Sequence, residues 1–151
     1  MQTIIKNKKA NFNYFIESKF EAGIVLQGSE IKAIRLSKCS IEESHASYVK
    51  GEVFLFNMHI AQYEKASYFN HSPTRPRKLL LHKIEIKKIL GKIKLKGYTL
   101  VPLSLYFNDQ NIVKLELGVG KGKKLHDKRQ DIKNRDWDKQ KARTLKSNFR
   151  D

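Results

Sequence analysis

Near residue 120 the chain changes character, and that break limits what it can fold into. Up to Gly120, apolar residues recur in short runs separated by turn-forming residues, whereas residues 121–151 hold twelve Lys/Arg, five Asp and few large apolar side chains. Only the first segment can bury a core, so the chain reads as one folded domain over residues 1–120 followed by a basic tail over residues 121–151. A length of 151 residues leaves no room for a second full domain. The apolar share of 40% is too high for a wholly disordered basic chain. With 31 Lys/Arg against 15 acids the net charge is +16, and the tail carries it at about three times the density of the body. A polyanion, nucleic acid first, is the expected partner.

Within the body, residues 12–27 are rich in β-formers, and Phe20 and Ala22 alternate with Glu21 and Gly23, which predicts a first strand. Gly28-Ser29 then opens a short helix, with Ser29 as its cap and Glu30 suited to the helix dipole. Residues 40–50 and 52–60 flank Gly51 as a hairpin. Ser72-Pro73-Thr74-Arg75-Pro76-Arg77-Lys78 reads as an exposed basic loop, because its prolines remove backbone donors and three cations crowd together. Residues 79–96 place Ile86, Ile89, Leu90 and Ile93 on one helical face, with lysines elsewhere around the helix and Gly97 as its stop. The clearest hairpin joins residues 98–107 to 112–119 through Asn108-Asp109-Gln110-Asn111. This order lacks βαβ alternation and internal repeats. It predicts a mainly β chain, an antiparallel barrel of the oligonucleotide-binding (OB) type with flanking α-helices, whose closure leaves one face free for RNA.

Several chemistries lack their residues. Cys39 is the sole cysteine, so there is no disulfide framework and no multi-cysteine metal site, as fits a reducing compartment. No export signal or run of eighteen apolar residues is visible, and the expected location is the cytoplasm, away from membranes. The stretch Gly118-Val119-Gly120-Lys121-Gly122-Lys123-Lys124 lacks the Ser/Thr that ends a Walker loop and reads instead as a flexible cationic hinge. His45, His59, His71, His82 and His126 share no metal-ligand spacing, and His59 reads as a core or rim residue. No carboxylates are paired for acid–base work, so neither a metal, a cofactor nor catalysis is expected. In the tail, Ala142, Leu145 and Phe149 fall at helical spacing, but the apolar area is too small for an isolated helix. The tail is expected to be disordered when free and helical on RNA; the competing reading docks it through Trp137 and Phe149.

The ordered motifs resemble a known family. Tyr14-Phe15-Ile16-Glu17, Phe20-Glu21-Ala22-Gly23, Leu26-Gln27-Gly28-Ser29-Glu30-Ile31-Lys32 and Pro73-Thr74-Arg75-Pro76-Arg77-Lys78-Leu79-Leu80-Leu81 are followed by Gly97-Tyr98-Thr99, Ser104-Leu105-Tyr106, Gly120-Lys121-Gly122-Lys123-Lys124 and His126-Asp127-Lys128-Arg129. Together they are similar to the SsrA-binding protein, or small protein B, family of bacterial trans-translation. Ser29 stands where that family often has tryptophan, and the 107–112 turn is one residue longer.

The resemblance implies an OB-type barrel that binds the tRNA-like domain of transfer-messenger RNA (tmRNA) and accompanies it, as alanyl-tmRNA with elongation factor Tu, into stalled ribosomes. It implies a non-catalytic monomer whose barrel takes the place of an anticodon arm and whose tail senses an empty messenger channel. By matched motif, Asn7, Glu21, Leu80 and Lys114 are the implied tmRNA contacts. His126, Asp127, Lys128 and Arg129 are implied at the decoding centre, with Lys133, Arg135, Lys139, Lys141 and Arg143 along the messenger channel. Leu80 has a second reading, as core packing in a three-leucine run. Two other functions stay open on composition alone: a structural subunit resembling a ribosomal protein, and a metal-dependent nuclease using Glu17, Glu21 or Asp127.

Overall fold

The computed structural model describes residues 2–63, 70–123 and 125–150, without the side chains of residues 125–127, 142 and 144–150. A strand that the sequence reading misses, β1 (Gln2–Lys6), leads through a single helical turn, α1 (Ala10–Asn13), into the long strand β2 (Tyr14–Ile24). Helix α2 (Gly28–Arg35) follows, then β3 (Cys39–Ser40), the hairpin β4 (His45–Val49) and β5 (Glu52–Phe56), and β6 (His59–Ile60). Strand β7 (Arg77–Leu80) precedes helix α3 (Lys83–Ile93). The chain ends with the hairpin β8 (Tyr98–Phe107) and β9 (Val113–Gly122) and helix α4 (Leu125–Arg150).

The main sheet runs β1-β8-β4-β5-β7-β2-β9 and closes through β8–β9 pairing, so β8, β4, β5, β7, β2 and β9 form an antiparallel barrel, as expected. Strand β1 lies along the remaining length of β8. Alternation puts Ala22, Val53, Leu55, Leu79, Leu105, Leu115, Leu117 and Val119 inside. Burying each large aliphatic side chain contributes about 1.5–3 kcal/mol. Helix α3 closes on the barrel with Ile89, which is fully buried, and with the partly buried Ile86, Leu90 and Ile93, the face read from the sequence.

Four local expectations are corrected. The segment read as one helix over residues 79–96 is split: Leu79 and Leu80 are strand, and Leu79 enters the core while Leu80 stays 51% exposed. Ser29 does not cap α2; Gln27 does, with its amide donating to Glu30 Oε1 at 2.8 Å in a capping box, and Ser29 Oγ instead meets His71 Nδ1 at 2.9 Å. The supposed basic loop hides one of its cations. Arg77 is fully buried, its Nε donating to Glu30 Oε2 at 2.6 Å, with Arg75 on the other carboxylate oxygen. Both guanidinium groups converge on one carboxylate, with Arg77 Nη2 also donating to the Pro73 carbonyl at 3.2 Å, a pairing that linear charge counting cannot anticipate. Among the described residues the buried histidine is His71, whereas His59 is exposed on the short β3–β6 ribbon.

The expected glycine hinge is also mostly strand. Gly118 and Gly120 are buried in β9 opposite β2, and a Cβ on Gly120 would sit 2.6 Å from the Phe15 carbonyl oxygen. Only glycine permits that approach. Gly120→Ala should therefore push β2 away from β9 and cost about 1–3 kcal/mol, measurable as a lower urea midpoint. An unchanged midpoint would contradict this packing.

Candidate nucleic-acid interface

The barrel's outward face gathers three of the four residues expected at the first RNA site. Strand β2 lies between β7 and β9, and near its C-terminal end Gly23 is opposite Leu80 on one side and Lys114 on the other. Gly23 has no side chain, so it forms a flat floor; the Leu80 Cβ lies 3.2 Å from where a Gly23 Cβ would be. Glu21 projects two residues earlier on the same face. The result is a shallow cleft of Glu21, Gly23, Leu80 and Lys114, rimmed by His82 and Glu85. Strand alternation explains the split of the leucine run, since Leu79 points inward and Leu80 must point out.

Tyr106, which the sequence reading does not single out as a site residue, fixes the acid. It is opposite Lys114 in the β8–β9 register, and its hydroxyl donates to Glu21 Oε2. Burial drives the Tyr106 phenol well above its usual range, and the Glu21 carboxylate raises it further. The phenol thus stays a donor and holds Glu21 as an acceptor. A carboxylate so placed can accept from cytosine N4 or guanine amines, Lys114 can meet a phosphate, and Leu80 offers an apolar face to a base or ribose.

Asn7 is not in that cleft. Its Nδ2 donates to the Pro102 carbonyl at 2.9 Å, its amide to the Leu103 carbonyl at 2.7 Å, and its Oδ1 is buried without a hydrogen-bond partner. It lines a second cleft with Lys6, Lys19, Ser104 and Glu116. Glu116 is opposite Glu21 in the β2–β9 register, so the two clefts adjoin on one face of the barrel.

The tail starts from a fixed root. The Lys123 amide donates to the Asn13 carbonyl at 2.8 Å, and its side chain, only 8% exposed, pairs with Asp131 and sits 4.8 Å from the Phe15 ring. Phe12 receives Lys128 Nζ at 5.9 Å and the Arg135 guanidinium at 5.6 Å. Each such exposed cation–π contact is worth about 0.5–1 kcal/mol. The tail is a helix over Leu125–Arg150, attached at its first turns by these contacts to α1 and the start of β2. The docking through Trp137 is absent, because that ring is 58% exposed under Lys141 Nζ at 5.3 Å. Arg129, Lys133, Arg135, Lys139, Lys141 and Arg143 are exposed along α4. His126 and Asp127 belong to the helix, but their side chains, like that of Phe149, lie outside the described residues.

Glu17 is engaged by the Tyr98 hydroxyl at 2.6 Å and Lys92 Nζ at 3.2 Å, and the Tyr98 hydrogen bond first, then Lys92, lowers its pKa from the ordinary value. Among the described residues, no group of three or more His, Cys, Asp or Glu could hold a metal ion. Among them, too, no helix is long and apolar enough to cross a membrane.

A closed OB-type barrel with an acceptor, a cation and an apolar contact on its outer face, and a long basic helix at its end, defines a class of small polyanion-directed β-barrel proteins. Within that class the chain belongs to the SmpB family, whose model, described as SmpB protein, matches residues 4–147. The SsrA-binding protein of Rickettsia conorii (strain ATCC VR-613 / Malish 7) is 62% identical over 145 residues, covering 96% of this chain and 95% of its own. That of Rickettsia bellii (strain OSU 85-389) is 63% identical over 143 residues, covering 95% of each. A chain from a solved structure described as "tmRNA-SmpB: a journey to the center of the bacterial ribosome" aligns with a TM-score of 0.66 and 47% identity, over 80% of this chain and 85% of that one.

Proposed function

We propose that this chain binds transfer-messenger RNA and is required for trans-translation, bringing alanyl-tmRNA with elongation factor Tu to stalled ribosomes. The observation that carries this reading is the family match across residues 4–147, on a chain whose Glu21, Leu80 and Lys114 converge on one cleft. In this reading the barrel takes the place of an anticodon arm. Asn7, Glu21, Leu80 and Lys114 contact the tRNA-like domain, with Tyr106 holding Glu21 in its acceptor role. The tail senses the vacant messenger channel: His126, Asp127, Lys128 and Arg129 reach the decoding centre, and Lys133, Arg135, Lys139, Lys141 and Arg143 follow ribosomal RNA phosphates. The protein acts as a cytoplasmic monomer and performs no chemistry itself. The two parts, residues 1–120 and 121–151, divide RNA capture from ribosome sensing.

Pull-down of the tagged full chain from cell extract should recover tmRNA in preference to bulk tRNA. Binding should weaken on the order of a thousandfold between 50 and 200 mM salt if about six phosphates are neutralised. Equal recovery of bulk tRNA, or a flat salt response, would refute the proposal. Stable stoichiometric presence on translating, non-stalled ribosomes would instead favour a structural ribosomal subunit.

A further inference from the structure

We propose that α3 is a third RNA-contacting element, gripping the phosphate backbone of the same folded RNA that occupies the Glu21–Leu80–Lys114 cleft; this rests on the tmRNA-binding reading above. Helix α3 starts at that cleft, where His82 caps it and Glu85 forms part of the rim. It ends beside the root of the tail. Lys92 reaches Glu17 and lies 5.9 Å from the ring of Tyr98, which is opposite Lys121 in the β8–β9 register. The helix is therefore a ridge running from one proposed RNA-contacting region to the other.

Its outward side suits a phosphate strand. At 100° per residue, Ile84 and Gly91 fall opposite the packed face of Ile86, Ile89, Leu90 and Ile93, while Lys87 and Lys88 occupy the two shoulders. Lys83, Lys87, Lys88 and Lys94 are all exposed, and among the described residues none of them has an acidic partner. Glycine inside a helix destabilises it relative to alanine, so Gly91 needs a reason. Packing does not supply one, because nothing lies within 4 Å of the place a Gly91 Cβ would take. A bare patch between two lysine shoulders lets a sugar–phosphate backbone come close to the helix and be neutralised from both sides. The charge complementarity and the continuity with the cleft select the cleft's own RNA as the occupant.

The test uses the full chain and a transcript of the tmRNA tRNA-like domain. The Lys83→Gln/Lys87→Gln/Lys88→Gln variant should keep its thermal midpoint, bind at least about tenfold more weakly, and reduce the slope of log K against log salt by about two, at roughly 0.7–0.9 for each phosphate left without its lysine. The corresponding arginine variant should retain wild-type binding. Gly91→Gln should melt no lower than wild type yet also bind more weakly, which a merely structural glycine would not do. Wild-type affinity and slope in the glutamine variants, with the wild-type chain binding normally, would overturn the inference. So would a loss seen only on ribosomes, which would assign the lysines to ribosomal RNA. Failure of the wild-type chain to bind the transcript would instead defeat the underlying reading of the function, and this inference with it.

Discussion

A chain ending at Lys123 should bind the tmRNA tRNA-like domain as the full chain does and abolish tagging on stalled ribosomes. The cut leaves β9 whole through Gly122, which pairs with Tyr14, and keeps the Lys123 amide on the Asn13 carbonyl, so the barrel loses none of its strand pairing. It removes Lys133, Arg135, Lys139, Lys141 and Arg143 together. Even at about 1 kcal/mol for each charge-assisted phosphate contact, five such contacts are worth more than about a thousandfold in affinity for the ribosome. Two assays decide the matter: filter binding of the transcript, and peptide tagging in a translation system stalled on a truncated message. Equal loss in both would show that capture and sensing are not divided at this point of the chain.

Glu30→Ala should be the most damaging single substitution for stability. It leaves Arg77, buried without exposure, and Arg75 beside it without their shared carboxylate, and removing one partner of a buried ion pair costs about 3–5 kcal/mol. For a domain of this size that lowers the thermal midpoint by roughly 10–20 °C. The same site sets a response to acid. Burial alone would raise the Glu30 pKa, but hydrogen bonds from Arg75, the Gln27 amide and Arg77 outweigh it and hold the carboxyl below its ordinary value of 4.5. A carboxylate with a lowered folded-state pKa contributes stability that is present above 4.5 and is lost as pH falls through the folded value. Wild-type stability should therefore decline below about pH 4.5, and Glu30→Gln, already destabilised at neutral pH, should lose less over that range. Denaturant titrations at several pH values check this; parallel acid profiles for the two chains would contradict it.

How far the sequence could be read followed the range of the interactions. The β8–β9 hairpin and the apolar face of α3 depend on residues two to seven apart, and both are found where periodicity puts them. The closed barrel followed from the order of elements, although β1 escaped because its five residues, Gln2–Lys6, show little alternation and are mostly exposed. Interactions between distant positions were not legible. Arg77 looks like a loop cation until Glu30, 47 positions earlier, is seen beneath it. The Tyr106–Glu21 hydrogen bond spans 85 positions, and nothing local in Ser104-Leu105-Tyr106 signals it. Of the implied tmRNA contacts, Glu21, Leu80 and Lys114 share a cleft because β2 is flanked by β7 and β9, an adjacency that matched motifs imply but spacing cannot derive.

The junction at Asn13, Phe15 and Lys123 ties the rod-like end of the molecule to a place that the close β2–β9 approach keeps from sliding. A helix of 26 residues extends roughly 39 Å from there, so a tilt of about 10° at the pivot moves its far end by roughly 7 Å. Slight reseating of a few aromatic and cationic side chains would thus move the far end of the helix by more than its roughly 5.4 Å pitch, a mechanical gain from the geometry alone.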